Sequence, residues 1–436
     1  MNVVPPPSTA GTAVVDYAPR TLTVVRARLG TGGRLLGVDV ARSLALIGMM
    51  SVHIFFPAFG SDGSMHPAYV IAAGRSAALF ATLAGVGIAL ASGGSRPYGG
   101  RRLRGARAGV LARSVLLVAL GLVLGKVDSP PLVILAYYGL LFVLAIPVLA
   151  MSARGLAVLA VSCALLTPLV SYWLRLHVSP TPIAEPGGRD ILKELFLTGT
   201  YPALTWTTYL FVGLAIGRSN LRRSGVAWAL LIGGAVVAVV AKVVSAALLG
   251  AAGGVERLQA SLPGENFLSK ETGRWLREGL FGTTPTTDWR WLLISSPHSG
   301  TTLDLMHTSA TSAAVIGGCI LLTRVLPRWS YLPLAATGSM TLTLYTAHVL
   351  ALAKGSPLRM ADQLHFWLAN VVVAIVVATF WRLVIGRGPL EWLFAGADRR
   401  AQRVAGGRAS SPVEDSRSLE QQRRNLTTWR PHKSGP

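Results

Sequence analysis

Apolar runs long enough to cross a lipid bilayer recur along the whole chain, and this feature constrains the fold more than any other. About 20 apolar residues in a helix span a bilayer core, and a helix is needed because lipid offers backbone polar groups no partner. We therefore predict an all-α, polytopic integral membrane protein with about ten transmembrane helices. The predicted spans are residues 36–56, 68–92, 109–126, 131–150, 155–175, 201–217, 226–250, 306–323, 331–353 and 364–385.

The composition excludes an ordinary soluble enzyme. Of the 436 residues, 51% are hydrophobic and only 14% are charged, whereas about 25% are charged in an average soluble protein. The net charge of +22 would suggest a nucleic-acid partner for a soluble domain, but in a membrane protein it marks cytoplasmic loops. We therefore expect membrane lipids as partners and no nucleic acid. Cys163 and Cys319 both lie in apolar runs, so we expect no disulfide and no metal site.

The basic residues set the predicted orientation. With the N-terminus in the cytoplasm, the inside segments hold 26 of the 41 basic residues and only 6 acidic residues, as the positive-inside rule requires. This asymmetry favours an N-in, C-in topology with an even number of spans. We divide the chain into a disordered cytoplasmic tail over residues 1–34, a transmembrane domain over 35–395 and a disordered basic cytoplasmic tail over 396–436.

The first span carries polar side chains along one stripe of its helix. Asp39 and Arg42 are three residues apart and share a face, and His53 follows Arg42 after close to three helical turns. Arg42 and His53 are therefore separated by about 16 Å along the helix axis. Charged side chains in a span are costly and usually face the bundle interior. The stripe is either a structural ion pair with an interfacial histidine or part of a functional site.

A second set of polar residues falls on the predicted outer side of the membrane. Histidine titrates near neutral pH and suits general-base chemistry, a carboxylate can orient an imidazole, and arginine can stabilise developing negative charge. On the cytoplasmic side, Arg101 and Arg102 belong to a basic cluster that either faces anionic lipid or receives a phosphate-rich donor. The outer candidates are His66, Arg75, His298, Asp304, His307 and His348.

Several blocks of this sequence resemble a known family. RLLGVDVARSLALIGMMSVHI resembles the first helix of bacterial membrane proteins with a heparan-alpha-glucosaminide N-acetyltransferase-like catalytic domain, and of the related YeiB-like proteins. HPAYVIAAGRSAALFATLAGVGIAL resembles their second helix, and SPHSGTTLDL, TGSMTLTLYTAHV and RGPLEWLF resemble later blocks in the same order. The similarity extends over residues 34–395, which is essentially the whole predicted membrane domain.

The resemblance implies a membrane-bound acyltransferase that moves an acyl group, most simply acetyl, from cytosolic acyl-CoA to an extracytoplasmic hydroxyl or amine. The acceptor would be a glycan or a lipid-linked sugar at the plasma membrane, here a bacterial inner membrane. By position, His66 matches the essential histidine of the lysosomal family type, and His53 is the second candidate base. The expected sites are His66, His53 and Asp304 for catalysis, Arg75, His298, His307 and His348 for substrate, and Asp39, Arg42, Arg101 and Arg102 for acyl-CoA.

Several alternatives stay open at this point. A histidine either deprotonates the acceptor for direct transfer or becomes acylated itself. The charged residues within the spans would also suit a transporter or lipid flippase. The chain could instead be a membrane partner or sensor without catalytic activity. No metal is expected, and a homodimer is compatible with the sequence.

Overall fold

A computed structural model describes residues 34–55, 65–129, 132–177, 191–262, 272–356 and 362–406. The regular structure in these ranges is helical, which confirms the predicted all-α class. Residues 1–33 and 407–436, which hold most of both predicted tails, lie outside the described residues. The main helices are α1 (Leu36–Phe55), α2 (Pro67–Ala72), α3 (Arg75–Ala91), α4 (Gly100–Leu124), α5 (Leu135–Ala145), α6 (Ala153–His177), α7 (Ala203–Arg218), α8 (Ser224–Ala251), α9 (Gly254–Ala260), α10 (Thr272–Glu278), α11 (Thr302–Val325), α12 (Arg328–Gly338), α13 (Thr341–Ala351), α14 (Gln363–Val384) and α15 (Pro389–Gly406).

Seven helical segments within the described ranges are long and apolar enough to cross a membrane. They are α1, the segment Pro67–Ala91 formed by α2 and α3, α4, α6, α8, α11 and α14. The protein is therefore a multi-pass membrane protein, with seven such segments where the sequence predicts about ten spans. The N-in, C-in orientation stays a prediction.

The other three predicted spans are shorter or interrupted helices. The run 131–150 forms α5, which passes into a 3₁₀ turn at Ile146–Val148, where Pro147 lacks the N–H that an α-helix would use. The run 201–217 forms α7, which has 16 residues. The run 331–353 forms two helices, α12 and α13, with a break at Ser339 and Met340. Each piece is too short to cross a bilayer core as one helix of about 20 residues.

Glycines let pairs of helices approach until their backbones touch. A Cβ atom added at Gly213 of α7 would lie 1.9 Å from the carbonyl oxygen of Thr82 in α3. A Cβ atom added at Gly85 of α3 would lie 2.3 Å from the carbonyl oxygen of Leu210. Such contacts stabilise helix pairs in lipid, where van der Waals packing replaces the hydrophobic driving force. The α3–α7 pair therefore depends on these glycines.

The first helix lies at the centre of the bundle. Most of α1 is buried, and it packs against α2, α3, α11, α12, α13 and α14, whereas α8 and α14 bury few of their residues. A Cβ atom added at Gly338 of α12 would lie 1.7 Å from the carbonyl oxygen of Asp39. The polar stripe of α1 therefore faces neighbouring helices, with Asp39 buried and Arg42 partly exposed, as expected for costly charges within a span.

The C-terminal helix α15 packs antiparallel to the first half of α4. Asp398 forms an ion pair with Arg113 and accepts a hydrogen bond from Gln402. Gly109 of α4 faces Asp398 and Gln402 of α15. Gly105, one turn earlier in α4, faces Gln402 and Gly406, which lie later in α15. The predicted boundary between the membrane domain and the tail, at residue 395, falls inside this helix.

Substitution of Gly213 by alanine should destabilise the protein by about 1–3 kcal/mol, because the new methyl group overlaps the α3 backbone. Thermal unfolding in detergent, followed with a dye that reacts with newly exposed Cys163 and Cys319, measures the effect. Gly233→Ala on α8 is the matched control, since no atom lies within 4 Å of its added Cβ. Equal unfolding midpoints for the two variants would show that the close crossing is absent.

Candidate active site

Two histidines, from α1 and α13, are in contact, and we call them the histidine pair. Nδ1 of His53 lies 3.3 Å from Nε2 of His348. Their rings stack with centroids 5.4 Å apart and an interplanar angle of 11°. His348 is only 2% exposed. The sequence predicted separate roles for these residues, in catalysis and in substrate binding, whereas the structure places them side by side.

The side chain of Asn370 on α14 determines how this pair is protonated. Nδ2 of Asn370 donates to the carbonyl of Phe366 at 2.9 Å, so Oδ1 faces Nδ1 of His348 at 3.1 Å. An amide oxygen only accepts, so His348 carries its proton on Nδ1 and accepts at Nε2 when it is neutral. His53 then donates from Nδ1. Its Nε2 is left as an unprotonated nitrogen that can accept a proton.

A third histidine lies in the loop before α11. His298 has a φ of +56° and is the only non-glycine residue with positive φ in the described ranges. Its ring stacks on Trp206 with centroids 6.4 Å apart and meets Tyr201 edge-on at 5.9 Å. Burial lowers the pKa of His298 to about 4, so its imidazole is neutral at pH 7. His298 also lies within electrostatic range of His53. A positive φ at a non-glycine residue such as His298 is strained, and such strain often accompanies functional sites.

Arg75 and His307 form a separate contact between α3 and α11. Nε of Arg75 donates to Nε2 of His307 at 3.2 Å. Nδ1 of His307 lies 2.9 Å from the carbonyl oxygen of Ala238 on α8 and donates to it. Both ring nitrogens are therefore occupied, because a carbonyl and a guanidinium fix one neutral tautomer. His307 links three helices and has no free lone pair in this arrangement.

Asp304 holds the loop that carries His298. Its Oδ2 accepts a hydrogen bond from the backbone N–H of Gly300 at 3.1 Å, and Ser299 donates a second one. The cations Arg75 and Lys242 lie within electrostatic range of the carboxylate. The hydrogen bonds to the Asp304 carboxylate therefore come from its own loop, whereas the sequence predicted an imidazole as its partner.

His66 occupies a different face of α1 from the histidine pair. It is the N-cap residue of α2, and its Nδ1 accepts a hydrogen bond from the backbone N–H of Ala68 at 3.3 Å. Its ring stacks on Phe55 with centroids 3.7 Å apart. Phe55 follows His53 by two residues, so the two side chains leave α1 about 200° apart. The structure therefore does not join His66 to the histidine pair.

Two guanidinium groups contact one carboxylate at the N-terminal end of α1, and a third lies nearby. Asp39 accepts hydrogen bonds from Arg34 at 2.9 Å and from Arg42 at 3.1 Å. Arg382 of α14 lies within electrostatic range of both Asp39 and Arg34. Asp39 is only 4% exposed, whereas the Arg34 and Arg42 side chains are about 37% and 27% exposed. The positive charge therefore exceeds the negative charge at this end, and two of the cations can be reached from outside.

Arg101 and Arg102 are not part of this group. They are exposed in the first turn of α4, which packs mainly against α5 and α15. The structure thus divides the predicted acyl-CoA residues into two places. One is the cluster of Arg34, Asp39, Arg42 and Arg382, which we call the Asp39–Arg42 group. The other is a separate basic surface on α4.

Asn370 and Lys242 are the site residues that the sequence reasoning missed as candidates. Each is a strongly polar side chain with several apolar residues before and after it in the sequence, and polar groups of that kind within a span need a partner in the protein. This signal could have identified both residues, although not their partners. Within the described ranges, no three residues among His, Cys, Asp and Glu are arranged to hold a metal ion.

Histidine nitrogens labelled with ¹⁵N should report the protonation that this geometry requires. At pH 8, NMR of the protein should show Nδ1–H and a bare Nε2 for His53, with its signals identified by their loss in His53→Gln. Asn370→Leu should remove the hydrogen-bonded Nδ1–H signal of His348 and leave His177, exposed at the end of α6, unchanged. A protonated Nε2 on His53 in the wild type would contradict the assignment.

Comparison with known families supports a relationship over about half of the chain. Residues 34–249 match the family model described as heparan-alpha-glucosaminide N-acetyltransferase, catalytic, and no curated protein matches the chain. The matched region runs from just before α1 into α8, and so includes His53, His66 and Arg75, whereas His298 and His348 follow it. The chain belongs to a heparan-alpha-glucosaminide N-acetyltransferase catalytic-domain-like family, which suggests a membrane acetyltransferase.

Proposed function

We propose that this protein transfers an acetyl group from acetyl-CoA to a hydroxyl or amine acceptor, with His53 as the general base. The observation that carries the proposal is the hydrogen-bond chain from Asn370 through His348 to His53. It leaves Nε2 of His53 unprotonated, as a general base must be. The family uses acetyl-CoA as its donor, and this supports an acetyltransferase in preference to a transporter or flippase.

The proposed reaction is a direct transfer. Nε2 of His53 removes a proton from the acceptor while the acceptor oxygen or nitrogen bonds to the thioester carbonyl carbon. The carbon–sulfur bond then breaks, and the proton passes from His53 to the departing thiolate, so that CoA leaves as a thiol. His348 accepts the hydrogen bond from Nδ1 of His53 and stabilises the imidazolium that forms, much as a carboxylate does in a catalytic triad.

The neighbouring residues support this site in different ways. A neutral His298, within electrostatic range of His53, would form a hydrogen bond with the acceptor, and Asp304 holds the loop that carries it. Arg75 and His307 tie α3, α8 and α11 together around that loop. The contacts of His66 with Ala68 and Phe55 favour a role in shaping the entrance after α1, so His53 is preferred as the base.

The Asp39–Arg42 group is the proposed site for the phosphates of the donor. Guanidinium groups bind phosphate oxygens through paired hydrogen bonds, and the exposed parts of Arg34 and Arg42 are available for this. The acyl-bearing arm of the donor would extend along α1 from Arg42 to His53, which are separated by about 16 Å along the helix axis. Arg101 and Arg102 on α4 would form an outer basic surface that attracts the donor electrostatically.

The acceptor is proposed to be a glycan or lipid-linked sugar on the extracytoplasmic side of a bacterial inner membrane. In the N-in topology, the C-terminal end of α1 with its histidine pair faces that side, and the Asp39–Arg42 group faces the cytoplasm. The donor and acceptor would then approach the site from opposite sides of the membrane. Surrounding lipids complete the partners, and a homodimer stays a prediction.

Substitution of His53 by glutamine should lower acetyl transfer by about 100-fold or more, since general-base catalysis contributes about 10²–10⁴. Release of CoA thiol from acetyl-CoA by purified protein in nanodiscs, with a panel of sugar and lipid-linked acceptors, measures it. His365→Gln is the matched control, because that side chain is 78% exposed. Full activity in His53→Gln together with its loss in His66→Gln would move the base to His66.

Substitution of Arg42 by glutamine should raise KM for acetyl-CoA about tenfold, a loss of about 1.4 kcal/mol of binding, while kcat stays within about twofold. The reason is that Arg42 would contact the donor phosphates and not the reacting carbonyl. Arg400→Gln, an exposed arginine on α15, serves as the control in the same assay. Unchanged KM in Arg42→Gln would place the donor elsewhere.

A further inference from the structure

The N-terminus of α13 needs hydrogen-bond partners from outside its own helix. The break at Ser339 and Met340 makes α13 a new helix, whose first amides have no acceptor within it. Met340 is the N-cap residue and its side chain makes no capping hydrogen bond. This start lies within the predicted span 331–353, where unpaired backbone N–H groups are unfavourable.

The carboxylate of Glu391 on α15 supplies these partners. Its Oε1 accepts hydrogen bonds from the backbone N–H groups of Leu342 at 2.8 Å and Thr343 at 3.1 Å. Its Oε2 accepts one from the Thr343 hydroxyl at 2.6 Å, and that hydroxyl accepts one from the backbone N–H of Leu390 at 3.3 Å. A side chain 48 residues away from Thr343 thus acts as the cap of α13, and its negative charge suits the positive end of the helix dipole.

The position of Glu391 is itself held by a rigid element. Glu391 lies in the first turn of α15, and Asp398 lies two turns further along the same helix. Asp398 is buried and bonded to Arg113 and Gln402. The C-terminal helix is therefore anchored on α4 at one point and bonded to α13 at another.

The capped turn is directly connected to the histidine pair. His348 follows Thr343 by five residues, which is about 7.5 Å along the axis of α13. No helix break separates them. A shift of the α13 N-terminus would therefore move His348 relative to His53, whose contact with it is 3.3 Å.

We propose that Glu391 is a positioning residue for the acyl transfer, which holds α13 so that His348 meets His53. The catalytic effect of Glu391 rests on the proposed function, whereas the capping of α13 by Glu391 is independent of it. Under this proposal, α15 contributes to catalysis by fixing the position of His348. This helix lies beyond the family match at residues 34–249.

The test compares Glu391→Ala, Glu391→Gln and the wild type as full-length protein in nanodiscs. Amide hydrogen exchange over residues 341–351 should be at least tenfold faster in Glu391→Ala. The hydrogen-bonded Nδ1–H signal of His348 should weaken in the same variant. With acetyl-CoA and an acceptor, kcat should fall about tenfold with KM for acetyl-CoA unchanged. Glu391→Gln keeps one acceptor oxygen and should recover part of each loss, and it is the variant to use if Glu391→Ala does not fold.

Asp288→Asn is the matched control, because Asp288 caps the separate 3₁₀ helix Trp289–Leu293 through the backbone N–H of Arg290. It should leave α13 exchange, the His348 signal and kcat unchanged. Wild-type exchange and kcat in a folded Glu391→Ala protein would overturn the proposal, as would faster exchange with an unchanged His348 signal. Absence of acetyl-CoA turnover in the wild type would instead refute the proposed function, and the exchange and NMR comparison would still decide the positioning role.

Discussion

Backbone groups within a membrane must find their hydrogen-bond partners in the protein itself, and this requirement organises the candidate site. A continuous helix such as α1 satisfies it alone. The break between α12 and α13 does not, so the first turn of α13 takes its acceptors from Glu391 on α15. The break also lies between Gly338, where α12 touches the backbone of α1, and His348, where α13 meets His53. The geometry of the histidine pair therefore depends on a carboxylate from another helix.

The polar groups around α1 are arranged at two ends with different chemistry. At the N-terminal end, Asp39 is outnumbered by guanidinium groups, which gives a surface suited to an anionic ligand. At the C-terminal end, the histidine pair is organised by hydrogen bonds that finish on the backbone carbonyl of Phe366. An arrangement with cations at one end and imidazoles at the other suits a reaction in which a phosphate-bearing donor presents its acyl group to a base some distance away.

The sequence indicates which polar residues lie in or beside the apolar runs, but not which side chains they contact. Asp304 illustrates this, because its spacing from His307 suggested an imidazole partner. Asp304 lies in the first turn of α11, and its carboxylate instead accepts hydrogen bonds from the backbone N–H of Gly300 and the hydroxyl of Ser299 in the preceding loop. The apolar run 331–353 predicts one span, although Gly338 and Ser339 at the break are a local signal, since glycine has a low helix propensity and Gly/Ser pairs often mark kinks.

The sequence by itself determined that the chain is a helical membrane protein, because runs of about 20 apolar residues in lipid leave no other structure. It also determined the stripe that carries Asp39, Arg42 and His53, because the helical period of 3.6 residues places them on one side of α1. Only the tertiary structure decided that His53 meets His348, 295 residues away, that Asn370 sets their tautomers and that Glu391 caps α13. Local periodicity defines the faces of a helix, but the choice of which faces meet depends on the packing of all the helices together.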